Sequence, residues 1–83
     1  MEKRLALLGI IVENVESVEP LNRLLHEYRQ YIIGRMGIPY PKRELSVISV
    51  ALDAPTDIIS SLSGKLGMLD GITSQVLMAK LNG

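Results

Sequence analysis

The chain has 83 residues, and its nine lysines and arginines balance nine aspartates and glutamates, so it lacks the phosphate attraction on which most nucleic-acid binders depend. It has no cysteine, which excludes disulfides and iron–sulfur ligation by this chain. Hydrophobic residues make up 47% yet include no Phe or Trp, so the core must be aliphatic, and a domain of this size buries only roughly 60–65% of its unfolded surface, which favours association of subunits.

The organising stretch is Leu5-Ala6-Leu7-Leu8-Gly9-Ile10-Ile11-Val12, a run without a polar side chain. It predicts a strand from Arg4 to Glu13 that is buried on both faces. The chain's own helices cover one face; the other needs mass that so short a chain is not expected to supply. The run is too short to span a membrane and no small-residue cleavage site follows it, so a cytoplasmic protein is expected.

Ser17 is the expected cap of a first helix, with Glu19 at its positive end and Pro20 in its first turn. Val18, Leu21, Leu24, Leu25 and Tyr28 recur at helical spacing, with Asn22, Arg23, His26, Glu27 and Arg29 on the opposite side. A second strand is predicted from Gln30 to Ile38, weakened and bulged by Gly34 and Gly37. Pro39-Tyr40-Pro41-Lys42-Arg43 is expected to form a loop. The third strand, Leu45 to Leu52, alternates Ile48, Val50 and Leu52 with Val47, Ser49 and Ala51. Pro55 is placed at the first position of a second helix that turns Ile58, Ile59, Leu62 and Leu66 inward, with Lys65 in its last turn and Gly67 as a left-handed terminator. Ile72 to Lys80 is the fourth strand.

Strand, helix, strand, strand, helix, strand is the α+β, ferredoxin-like βαββαβ order, with a four-stranded antiparallel sheet carrying both helices on one face, here as a single domain over residues 1–83. The first and third strands are then central. Leu8, Ile10, Ile48, Val50 and Leu52 face the helices, leaving Leu7, Gly9, Ile11, Val47, Ser49 and Ala51 on an open face too apolar for water. These six are the expected interface of a homo-oligomer, dimer or tetramer.

Few residues offer chemistry. His26 is the only histidine, and metal sites gather several His or Cys ligands, so no metal or other cofactor is expected. Glu13, Glu16 and Glu19 read as solvated acids at a helix start, and Ser60, Ser61 and Ser63, with Gly64, as small residues that permit close packing; no catalytic set emerges. Gly34-Arg35-Met36-Gly37 and Ser63-Gly64-Lys65-Leu66-Gly67 each place backbone amides beside a cation, as a small anion or carboxylate requires. Turn geometry is the simpler account of both, and neither matches a phosphate loop. Gly34, Arg35, Gly37, Gly64, Lys65 and Gly67 are therefore the ligand-binding candidates, placed where the two segments meet a subunit boundary. Arg35 is the stronger cation because its fork can pair with a carboxylate, whereas Lys65 can serve its own helix end.

The segments Gly34-Arg35-Met36-Gly37-Ile38-Pro39-Tyr40, Ser49-Val50-Ala51-Leu52-Asp53-Ala54-Pro55 and Leu62-Ser63-Gly64-Lys65-Leu66-Gly67, together with the opening strand and Leu25-His26-Glu27-Tyr28, resemble the iron-only hydrogenase system regulator family over nearly the whole chain. The resemblance implies an ACT-like domain from an anaerobic bacterium, a companion of hydrogenase maturation proteins. Such domains pair through sheets or helices and bind small effectors, often amino acids, near subunit boundaries. The related nickel-sensor domain uses histidines and a cysteine for metal; one His and no Cys do not fit that use. Without a helix-turn-helix or ribbon-helix-helix segment, regulation is expected to act through a protein partner of the hydrogenase system, with no direct nucleic acid and no membrane. Two other readings stand beside it: a small ferredoxin-like enzyme of isomerase or dehydratase type, for which Glu13 and His26 are the only acid–base candidates, and a purely structural interaction module.

Overall fold

Side chains that alternate between apolar contact and solvent make β1 (Lys3–Val12), whose Ala6, Leu8, Ile10 and Val12 are buried while Leu5, Leu7 and Ile11 are exposed. The computed structural model describes residues 3–80. After β1 come α1 (Val18–Glu27), β2 (Ile32–Tyr40), β3 (Leu45–Pro55), α2 (Thr56–Gly67) and β4 (Ile72–Met78). The four strands form one antiparallel sheet in the order β2-β3-β1-β4, the expected βαββαβ arrangement with β1 and β3 at its centre. Leu21 and Leu25 from α1 and Ile59, Leu62 and Leu66 from α2 pack on Leu8, Ile10, Val50 and Leu52 to make a core whose one buried aromatic side chain among the described residues is Tyr28.

Several local expectations shift, each for a stated reason. β2 starts and ends two residues later than expected, because Pro39 and Tyr40 pair with Ser46 and Leu45. β2 lies at the edge of the sheet, where a missing proline N–H breaks no ladder on the outer side. The bulge does occur, as a register shift between Ile32 and Gly34. The hairpin closes through a 3₁₀ turn over Pro41–Arg43, with Glu44 left-handed at φ 53°. β3 continues past Leu52 because Ala54 pairs with Arg4 and is buried, which leaves Pro55 extended as the residue before α2 and not its first helical position.

Ser17 caps nothing with its side chain. A 3₁₀ turn over Val15–Ser17 precedes α1, and Asn14 caps that turn by accepting the Glu16 amide at 3.0 Å. The Ser17 hydroxyl instead donates to the Asp70 carbonyl at 2.5 Å. Around it the Asn14 side-chain amide donates to the Asp70 carboxylate at 3.1 Å, and the Glu13 amide to the Gly71 carbonyl at 2.7 Å. These bonds tie the β1–α1 turn to the α2–β4 turn.

The glycine that this clasp requires is Gly71. Its φ is +69°, and a Cβ there would stand 2.5 Å from the Asn14 Cβ. Gly67 is an ordinary last helical residue with Met68 following in right-handed conformation, so the left-handed position expected there falls four residues later. Gly64, expected to allow a close approach, is exposed, and a Cβ on it meets nothing within 4 Å in this chain. Gly71→Ala should therefore lower stability by about 2 kcal/mol, from left-handed strain and the Asn14 clash. Gly64→Ala should raise it by up to about 1 kcal/mol. Thermal unfolding should read these as a fall of roughly 10 °C and a rise of roughly 4–8 °C.

Candidate functional site

Side chains directly opposite one another in a sheet share a face, so the register defines the open side in rows. Leu7, Ala51, Leu77 and Gly34 form one row, Gly9, Ser49, Gln75 and Met36 the next, and Ile11, Val47, Thr73 and Ile38 the third. All six residues expected on this face lie on it. The edge strands add what the sequence reading had not included: Met36 is 61% and Leu77 70% exposed, and Leu5, Leu7, Ala51 and Leu77 line a depression of about 430 Å³. The alternation of β2 and β4 carried that signal. Among the paired residues of this face, charge appears only at one end, as Lys3 and Asp53.

The ligand-binding candidates separate. Arg35 pairs with Val50 and so lies on the helix-facing side of β2, where its guanidinium donates to the Asn22 Oδ1 at 3.0 Å. It lines a cleft of about 270 Å³ between α1 and β2 with Asn22, Leu25, His26, Arg29 and Ile32. Lys65 lines another, of about 280 Å³, with Arg23, Leu24 and Glu27. The two clefts flank opposite faces of α1, so one chain does not bring Arg35 and Lys65 together.

The glycines contribute no cradle within the chain. Gly64 and Gly67 lie inside α2, where amides beyond the first turn are used by the helix. A Cβ at Gly34 meets nothing within 4 Å, and one at Gly37 meets only the Ile48 Cγ1 at 3.9 Å.

Lys65 already has a partner in its own chain. Its ammonium stands 5.3 Å from the centroid of the Tyr28 ring, and the Tyr28 hydroxyl is 3.0 Å from that of Ser61. The Ser61 hydrogen bond, then the Lys65 charge, hold the Tyr28 phenol below its ordinary pKa, and the phenol in turn holds Lys65 above its own. Ser61 thus has a structural partner.

A further cleft, of about 630 Å³, lies at the end of the sheet between the β1–α1 turn and the β2–β3 hairpin, and Val12, Glu13, Val18, Tyr40 and Glu44 are among its walls. Glu13 is here, while His26 lines the cleft beside Arg35, so the two acid–base candidates do not share a site. Among the described residues no group of three His, Cys, Asp or Glu side chains is placed to hold a metal, and no helix is long and apolar enough to cross a membrane.

Residues 4–76 match the profile of the TM1266-like family, described as "Iron-only hydrogenase system regulator, putative". The chain belongs to that family. Its structure is similar to that of the uncharacterized protein TM1266 from Thermotoga maritima, with a TM-score of 0.91 and 32% identity over 95% of this chain and 100% of that one. It is also similar to a segment of a formyltetrahydrofolate deformylase from Pseudomonas putida KT2440, with a TM-score of 0.63 and 14% identity over 87% of this chain and 28% of that one. The second likeness concerns the fold alone, which is ferredoxin-like and ACT-like. Among curated proteins nothing matches. The segments that carried the resemblance, on β2, β3 and α2, fall within the matched region.

Removing the hydroxyl partner of Tyr28 tests the local electrostatics. Ser61→Ala should move the titration of the Tyr28 ring to higher pH, as followed by NMR, and should cost about 1 kcal/mol in denaturant unfolding.

Proposed function

We propose that this member of the family is a non-catalytic regulator of the iron-only hydrogenase system that works as a homo-oligomer, closing its open sheet face on a second copy and passing the state of a bound small effector to a protein partner. The single observation that carries this reading is the apolar open face. Burial of such surface is favourable by about 25 cal/mol per Å², and the exposed Leu5, Leu7, Ile11, Met36, Ile38, Val47 and Leu77 are contiguous on it.

A second copy is the fitting occupant. The centre of the face is small, at Gly9, Ser49 and Ala51, and bears no charge, so two identical faces meet without repulsion and sheets can approach to about 10 Å. The family description supports the regulatory role. That Glu13 and His26 line different clefts favours the non-catalytic reading over the enzyme reading.

Sedimentation equilibrium tests the assembly. The wild-type chain should be associated at micromolar concentration, and Val47→Asp should weaken association by about 100-fold or more, because it leaves an unpaired charge inside the contact, while circular dichroism stays unchanged. A monomeric wild type would overturn the reading. In an anaerobic host deleted for the chain, the wild type should restore the hydrogenase phenotype and Val47→Asp should not.

A further inference from the structure

Cations that face no carboxylate define the cleft between α1 and β2. Arg29 and Arg35 both line it, with His26 and Asn22, and neither Asp nor Glu does. Each guanidinium is held by a neutral oxygen, Arg35 by the Asn22 Oδ1 and Arg29 by the His26 carbonyl, each at 3.0 Å. The one ion pair among the described residues lies elsewhere, between Arg23 and Glu19 at 3.4 Å. Hydrogen bonds to neutral groups fix the direction of a guanidinium without cancelling its charge, and each guanidinium retains most of its five donors.

The chain is balanced overall, so two uncompensated guanidiniums on one cleft are a local excess of positive charge. Leu25, buried beneath α1, and Ile32, at the start of β2, give the cleft an apolar wall. That wall suits an aliphatic body better than a bare inorganic ion.

We propose that this cleft binds a small aliphatic dicarboxylate, with Arg35 and Arg29 each pairing with a carboxylate group, Asn22 positioning Arg35, and Leu25 and Ile32 packing on the methylene chain. This rests on the effector-binding reading above and supplies its ligand class. A sharp consequence is discrimination against amino acids. An α-ammonium brought into the cleft meets two guanidiniums and no carboxylate to receive it, so adding an amino group to the ligand weakens binding.

Succinate, aspartate and inorganic phosphate, titrated at constant ionic strength and followed by NMR shifts of the Asn22 side-chain amide, test this directly. Succinate should bind saturably and at least tenfold more tightly than either of the others. Arg35→Gln and Arg29→Gln should each reduce succinate affinity at least tenfold, Arg35→Lys should reduce it less, and Lys65→Gln, across α1, should leave it unchanged. Aspartate or phosphate binding as tightly as succinate, or equal succinate binding by Arg35→Gln in a chain whose circular dichroism is native, would overturn the proposal. Sedimentation of the same samples separates the two readings: an assembled chain that binds no succinate removes this inference alone, and a monomer that binds it removes the oligomer reading alone.

Discussion

The constraint on which the rest of the structure depends is that β1 is central and apolar on both faces, while the chain has helices for only one of them. β1 pairs with β3 along its whole length and with β4 over most of it, so its side chains fix which row each neighbour joins. A shift of one residue would exchange Leu8 and Ile10 for Leu7 and Gly9 beneath the helices, and the core would lose the Ile10 side chain to a glycine. Burial of the even-numbered residues sets the register. The same register then gathers the odd-numbered residues into an apolar sheet face.

The clasp between the two turns keeps that register at one end. Asn14, Ser17, Asp70 and Gly71 join the exit of β1 to the entry of β4 through hydrogen bonds that only a left-handed residue at position 71 allows at that separation. It also forms one boundary of the cleft at the end of the sheet through Asn14.

The fold was legible because strand and helix patterns are properties of sequence: the unbroken apolar run of β1, the alternation of β3 and the spacing of Leu21, Leu25 and Tyr28 led to the element order and to the open face. What was not legible depended on contacts between distant parts of the chain. Ser17 looks like a cap until Asp70 offers its hydroxyl a carbonyl, and Gly64 looks like a close-approach position and Gly67 like a left-handed terminator although the glycine under both constraints is Gly71. Pro39 reads as a strand breaker unless the strand is known to be at the edge. The candidate site was half legible. Arg35 was singled out from its own segment, but Asn22, His26 and Arg29 join it only because α1 crosses beside β2, and Lys65 is turned to Tyr28 on the far side of that helix.

If the proposed ligand and the proposed subunit contact both hold, the arrangement gives a short physical route between them. Arg35 and Met36 are consecutive residues of an edge strand, and a strand sends consecutive side chains to opposite faces. Arg35 therefore stands in the cleft beside α1 while Met36 stands in the row of Gly9 and Ser49 on the open face. β2 is bonded to one neighbour only, and its bulge at Ile33 loosens the end nearest the cleft, so it can change its twist at lower cost than β1 or β3. On the proposed reading, an anion drawn to Arg35 acts on the same backbone unit that carries part of the subunit contact. Linkage then requires reciprocity: whatever factor the ligand applies to association, association applies to ligand affinity, and β2 is the element on which both act.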